Sequence, residues 1–209
     1  MFKHSVKLIS TAIFFIMLAA QALAHQPVIV GNKTLEIDNP EFSRAFYDEL
    51  KGAPRSYLID TDKEFDLYIN LLVPKNTNPD GRYSARIYQI NGERRTLLAE
   101  IIGDSIEWKE FYEPFGGDTY LKGPEFRQLV SAGKYEIEVY NQDNQGKYVL
   151  AVGEKEFFGP GEIANVYLTV PRLKADFFGR SPVSFLWTPF GIVGVIVVGG
   201  IMYLLFRGR

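Results

Sequence analysis

The clearest pattern along the chain lies at residues 65–73. Phe65, Leu67, Ile69, Leu71 and Val73 alternate with Asp66, Tyr68 and Asn70. A period of two predicts a half-buried strand, ended by Pro74. Residues 84–90 and 95–102 flank Asn91-Gly92, which predicts a hairpin. Residues 134–140 and 147–152 predict a second hairpin around 142–146, and residues 163–170 a late strand before Pro171. Two short helices are expected as well. Asn39-Pro40-Glu41 supplies a cap, a proline for the first turn and an acid, and Phe42, Ala45, Phe46 and Leu50 follow before Gly52. Gly123-Pro124 opens the other, with Phe126, Leu129 and Val130 on its apolar side. Many short strands with turn residues between them predict a mainly β fold, an antiparallel β-sandwich.

The two ends read differently. Lys3 and Lys7 precede an uncharged apolar run at 8–20, and Ala22-Leu23-Ala24 follows with small residues where a signal peptidase reads them. Residues 1–24 are therefore expected to be a signal peptide, cleaved before His25. Residues 186–206 are apolar and uncharged, with Trp187 and Tyr203 near the ends of the run and Arg207 and Arg209 after it. They predict one C-terminal transmembrane helix, with 207–209 as a cytoplasmic tail. Arg172, Lys174 and Arg180 lie on the other flank, so orientation rests on the signal peptide. Gly191, Gly194, Gly199 and Gly200 contain no GxxxG pair. The expected organisation is an extracytoplasmic domain over 25–172, a short linker over 173–185 and the membrane helix. It would place the domain in the periplasm or at the cell surface.

Gly133-Lys134-Tyr135-Glu136-Ile137-Glu138-Val139 and Gly146-Lys147-Tyr148-Val149-Leu150-Ala151-Val152 share a G-x-Y-x-aliphatic-x-Val pattern. This resembles the closing strands of bacterial pre-peptidase C-terminal domains. The resemblance covers these two segments and implies a jelly-roll sandwich that binds rather than catalyses. The whole layout is similar to that of small membrane-anchored β-sandwich proteins of prokaryotes, which implies a place more than an activity.

Composition narrows the chemistry. The 209 residues carry a formal charge of −2 with no basic run, so a nucleic-acid partner is not expected. There is no cysteine, which removes disulfides, thiolate catalysis and cysteine-based metal sites. After residue 24 the only histidine is His25. A terminal His can chelate copper, but such a brace needs a second His, so no metal and no cofactor is expected. The polar segment 141–146 lacks a calcium loop's acid at the twelfth position, where Val152 stands. Asp60, Asp62 and Glu64 read as a solvated turn, and Asn32-Lys33-Thr34 is a formal glycosylation sequon.

No nucleophile elbow, phosphate loop or dinucleotide fingerprint is present. Carboxylate pairs are the remaining enzymatic option, with Glu107, Glu110, Glu113 and Asp118 as candidates. Their spacing fixes no distance between them. Residues 108–126 are the richest stretch. Trp108, Phe111, Tyr112, Phe115 and Tyr120 are interleaved with acids, while Pro114, Gly116, Gly117 and Pro124 break regular pairing. A loop is expected here, with those five aromatics either facing a partner or plugging one end of the sandwich. The reading is a non-enzymatic, membrane-anchored binding module for an envelope protein or glycan. The alternatives are an accessory subunit of a membrane complex and a carboxylate-dependent glycoside hydrolase.

Overall fold

The computed structural model describes residues 25–31, 35–157 and 159–207. The expected signal peptide, the sequon at 32–34 and residues 208–209 lie outside them. Two sheets face each other. The first holds β1 (Gln26–Ile29), β3 (Arg44–Lys51), β11 (Gln145–Val152), β5 (Phe65–Pro74), β9 (Asp118–Val130) and β8 (Lys109–Glu113), in that order. The second holds β2 (Leu35–Glu36), β4 (Arg55–Thr61), β10 (Gly133–Tyr140), β6 (Ser84–Asn91) and β7 (Arg94–Ile101). Pairing is antiparallel except for the two edge strands β1 and β2, which run parallel to β3 and β4.

Between the sheets lies the hydrophobic core. The alternating residues of β5 are buried to 4% or less, and they meet Tyr57, Ile59, Ile87, Ile137 and Leu150. The outer face of the six-stranded sheet is covered too. Helix α1 (Pro160–Asp176) lays Leu173 across it, and Phe177 and Phe178 follow, against Ala45, Leu72, Tyr120, Val149 and Ala151. With both faces buried, β11 reads as a continuous apolar run, Tyr148 to Val152, rather than an alternation. A 3-10 helix (Pro182–Trp187) and helix α2 (Pro189–Arg207) complete the described chain.

Several expectations are corrected. The helix expected from Asn39 is strand β3. Phe46 and Leu50 are four apart, a multiple of the strand period as well as one helical turn, and both point into the core. The helix expected at Gly123 is the second half of β9. There the register shifts, and buried Asn70 Nδ2 donates to the carbonyls of Gly123 and Pro124 at 3.1 Å each. The strand expected at 163–170 lies inside α1, where Val166, Thr169, Val170 and Leu173 are buried at helical spacing. The similar segments around Tyr135 and Tyr148 are not a hairpin. β10 pairs with β4 and β6, whereas β11 pairs with β3 and β5, so they face each other across the core. The 173–185 linker is instead packed structure, with Leu173, Lys174, Phe177, Phe178 and Phe185 buried.

The spanning helix expected over 186–206 is also corrected: among the described residues, no helix is long and apolar enough to cross a membrane. Leu186 and Trp187 belong to the 3-10 helix, and α2 starts at Pro189. Its first turns are held by the domain, with Phe190 and Val193 buried. Residues 195–206 then extend roughly 18 Å, against about 30 Å of hydrocarbon.

Candidate functional site

The expected loop at 108–126 is a hairpin at the edge of the six-stranded sheet. β8 pairs with β9 from Lys109–Lys122 to Glu113–Asp118. Its turn is shaped by Pro114 and by Gly117 at φ +68°, and Gly117 N–H donates to Glu113 O at 2.9 Å.

The hairpin sends its five aromatics in different directions. Trp108 lies in the inter-sheet core and donates through Nε1 to Gly103 O at 2.9 Å. A Cβ on Gly123 would come within 2.4 Å of its indole, so that position needs a glycine. Phe115 is buried against Phe190, ring centroids 4.2 Å apart. Tyr120 is buried under α1, its hydroxyl 2.7 Å from that of Tyr47. Phe111 is partly buried beside them, and Tyr112 is 60% exposed.

The candidate carboxylates part company in the same way. Glu107 faces solvent, and Glu110 pairs with Lys75 on the surface. Glu113 and Asp118 turn inward, to a small cavity of about 30 Å³ lined also by Tyr47, Phe115, Tyr120 and Phe178. That volume suits a water molecule or two, not a sugar ring. Glu113 accepts hydrogen bonds from the Phe115 and Gly116 amides at 2.6 and 2.7 Å. Burial nevertheless pushes its carboxyl up to about 7, with the neighbouring Asp118 charge adding to the rise. Asp118 accepts from Lys174 Nζ at 2.6 Å and from Arg180 Nη1 at 3.2 Å. Burial pushes the Lys174 ammonium down, against the upward pull of Asp118. Burial also pushes the Tyr47 and Tyr120 phenols up.

These groups form a latch between the sheet and the helices. Lys174 Nζ donates to Gly116 O, and Arg180 Nη1 to Gly117 O at 3.0 Å. On the far side, Tyr167 of α1 donates to Phe190 O at 2.8 Å and packs edge-on to Phe185. Every oxygen of the inward acids therefore has a donor within the protein. In the sequence Lys174 and Arg180 stand out only as charges flanking the expected membrane helix, Tyr47 does not stand out at all, and no motif marks the three as a latch.

His25 sits at the rim of this cavity, its Nδ1 2.5 Å from Ser43 Oγ. Burial, and then the charge of Lys122, lowers it to about 4. Among the described residues no three His, Asp or Glu side chains converge as metal ligands. Wider, open clefts lie elsewhere on the described surface. One, of about 410 Å³, has Tyr47, Asp48, Arg55, Lys147 and Phe177 in its walls. There Asp48 accepts from Tyr57 at 3.0 Å and pairs with Arg55 at 3.1 Å. Another, of about 780 Å³, runs past Ile102, Ile106, Lys109 and Lys122, and a third, of about 690 Å³, past Glu41, Asp60, Asp62 and Glu64.

No protein-family model matches the chain, and no curated protein matches it in sequence. Solved structures give distant likenesses. The pre-peptidase C-terminal domain of a Bacillus anthracis collagenase is 13% identical, with a TM-score of 0.35 over 59% of this chain and 96% of that one. A surface-associated copper-binding protein of Methylomicrobium album, important in copper acquisition, is 8% identical, with a TM-score of 0.31 over 62% of this chain and 100% of its own. A xylan-binding module is 11% identical, with a TM-score of 0.28 over 54% of this chain and 78% of its own. The chain thus bears a low, unspecific similarity to the pre-peptidase C-terminal domains that its G-x-Y-x-aliphatic-x-Val segments resemble, and at these scores none of the likenesses carries a function across.

Proposed function

We propose that this protein is a non-catalytic binding module, held at the outer face of a membrane by α2 and presenting its β-sandwich to a protein or glycan of the envelope. The observation that carries the reading is the exposed apolar surface of α2 beyond the latch. Val195, Val198, Ile201, Leu205 and Phe206 are each at least half exposed, on several sides of one helix. A helix apolar all round is stable inside a core or a bilayer, not in water. Membrane insertion supplies that surrounding while the sandwich stays outside. The partner-facing candidates that remain accessible on the hairpin are Tyr112 and part of Phe111.

The small volume of the cavity argues against a hydrolase, since it has no room for a sugar ring and the oxygens of Glu113 and Asp118 already take donors from the protein. The clamp at the start of α2 favours a second reading, an accessory subunit of a membrane complex. Phe190 and Val193 are buried against the domain, so helix and sandwich move as one body and suit a partner of fixed geometry. The test is fractionation of cells that express the full chain, followed by protease added from outside. The protein is expected in the membrane fraction after a high-salt wash, with its domain digested. A freely extractable protein, or a protected domain, refutes the reading.

A further inference from the structure

The 3-10 helix Pro182–Trp187 turns its apolar side chains the wrong way for a water-facing connector. Side chains three apart eclipse in such a helix. Val183 and Leu186 therefore share one side, and they are 60% and 43% exposed. Trp187, a third of a turn further round on the side of Ser184, is 80% exposed. Phe185 alone points inward, packed against Tyr167. The segment is not loosely attached. Thr188 N–H donates to Phe185 O at 3.0 Å, and Thr188 Oγ1 accepts from Gly191 N–H at 3.2 Å, capping α2. A Cβ on Gly191 would fall 2.0 Å from Phe185 O, so the 3-10 helix lies directly against the first turn of α2.

We infer that Val183, Leu186 and Trp187 form a lipid-contacting foot that rests in the headgroup and upper acyl layer and fixes the tilt of the domain over the bilayer. The inference rests on the membrane reading of α2 given above. What covers the foot follows from continuity: it is joined rigidly to a helix whose exposed residues are apolar on several sides, so the medium that covers α2 reaches the foot. Tryptophan is suited to that layer, because its ring is apolar and its N–H can find a polar partner there. Burying three large apolar side chains adds to the hold of α2 and removes the swivel that a flexible tether would allow.

The chain has two tryptophans, and Trp108 is enclosed between the sheets, which makes Trp187 a reporter. The full chain is reconstituted into phosphatidylcholine vesicles with or without bromine at shallow acyl carbons, beside the Trp187→Phe variant. Vesicle flotation is measured in parallel. The expected result is flotation of both proteins, with most of the Trp187 emission lost to bromine and the residual Trp108 emission of the variant unaffected. Flotation with unquenched, red-shifted Trp187 emission places the foot in water and overturns the inference while the membrane reading stands. Flotation with unquenched but blue-shifted emission places it against protein and also overturns it. Failure to float overturns the membrane reading itself, and the foot with it.

Discussion

Lys174 Nζ lies 2.6 Å from Asp118 Oδ2, with the two side chains only 1% and 3% exposed. This ion pair sits where the sheet meets the helices, and each partner has one further link. The ammonium also reaches Gly116 O, and the carboxylate also takes Arg180. Removing one member leaves the other charged and buried. Lys174→Met should therefore destabilise the full chain by about 3–5 kcal/mol in denaturant unfolding. Asp118→Asn should cost less than Lys174→Met, because an amide still accepts from the ammonium. The double variant Lys174→Met with Asp118→Leu should recover much of the loss. Equal and additive losses would show that the pair is not coupled.

Two neighbouring groups should give the domain opposite pH dependences. Glu113 is raised from 4.5 to about 7, so the folded state holds its proton more tightly than the unfolded chain does. Its contribution is fully present below about 4.5 and is lost as pH rises through 7, by up to about 3 kcal/mol. His25 is lowered from 6.5 to about 4, so its contribution is present above 6.5 and is lost as pH falls through 4. The windows overlap, and the two trends oppose each other. Relative to wild type, Glu113→Gln should make stability rise more steeply with pH between 4.5 and 7. His25→Gln should make it fall more steeply between 4 and 6.5. Melting temperatures across this range decide it, and parallel curves for all three proteins would refute both assignments.

The inter-sheet core was legible because β5 has a clean period of two and its neighbour β11 is apolar from Tyr148 to Val152. Other errors have physical causes. The spacing of Phe46 and Leu50 satisfies strand and helix alike, and only pairing with β11 decides between them. The 163–170 segment is rich in β-branched residues, yet the exposed sheet face needed a cover, and tertiary packing overrode propensity. Tyr135 and Tyr148 carry matching patterns because they line opposite walls of one core, which sequence similarity alone cannot distinguish from pairing. The latch was illegible because Lys174 and Asp118 are 56 positions apart and mean nothing until the fold brings them together.

The contact between the 3-10 helix and α2 depends on one missing side chain. At Gly191 a Cβ would meet Phe185 O at 2.0 Å and Leu186 Cα at 2.6 Å, both backbone atoms that cannot swing aside. Gly191→Ala should therefore push the two helices apart at a cost of about 1–3 kcal/mol. Gly199→Ala, further along α2, meets nothing within 4 Å and should leave stability unchanged. Thermal unfolding of the two variants separates the positions, and equal melting temperatures would show that the clamp is soft.

The aromatic hairpin offers the last test, because burial assigns different roles to side chains only a few residues apart. Trp108 packs over Gly123 in the core and is hydrogen-bonded to Gly103, so Trp108→Ala removes a large side chain and leaves a cavity. The expected loss is about 3–5 kcal/mol, read as a lower denaturant midpoint. Tyr112 projects from the edge strand, and Tyr112→Ala should change stability by only about 0.5 kcal/mol or less. If this edge meets the partner, the same change weakens binding by about 2 kcal/mol, because exposed tyrosines are frequent anchors of interfaces. A crosslinker placed at residue 112 in native membranes, followed by binding measurements with the captured component, reads this directly. Loss of stability from Tyr112→Ala would mean that the ring supports the hairpin. Unchanged stability with unchanged binding would move the partner surface away from β8 and towards one of the open clefts.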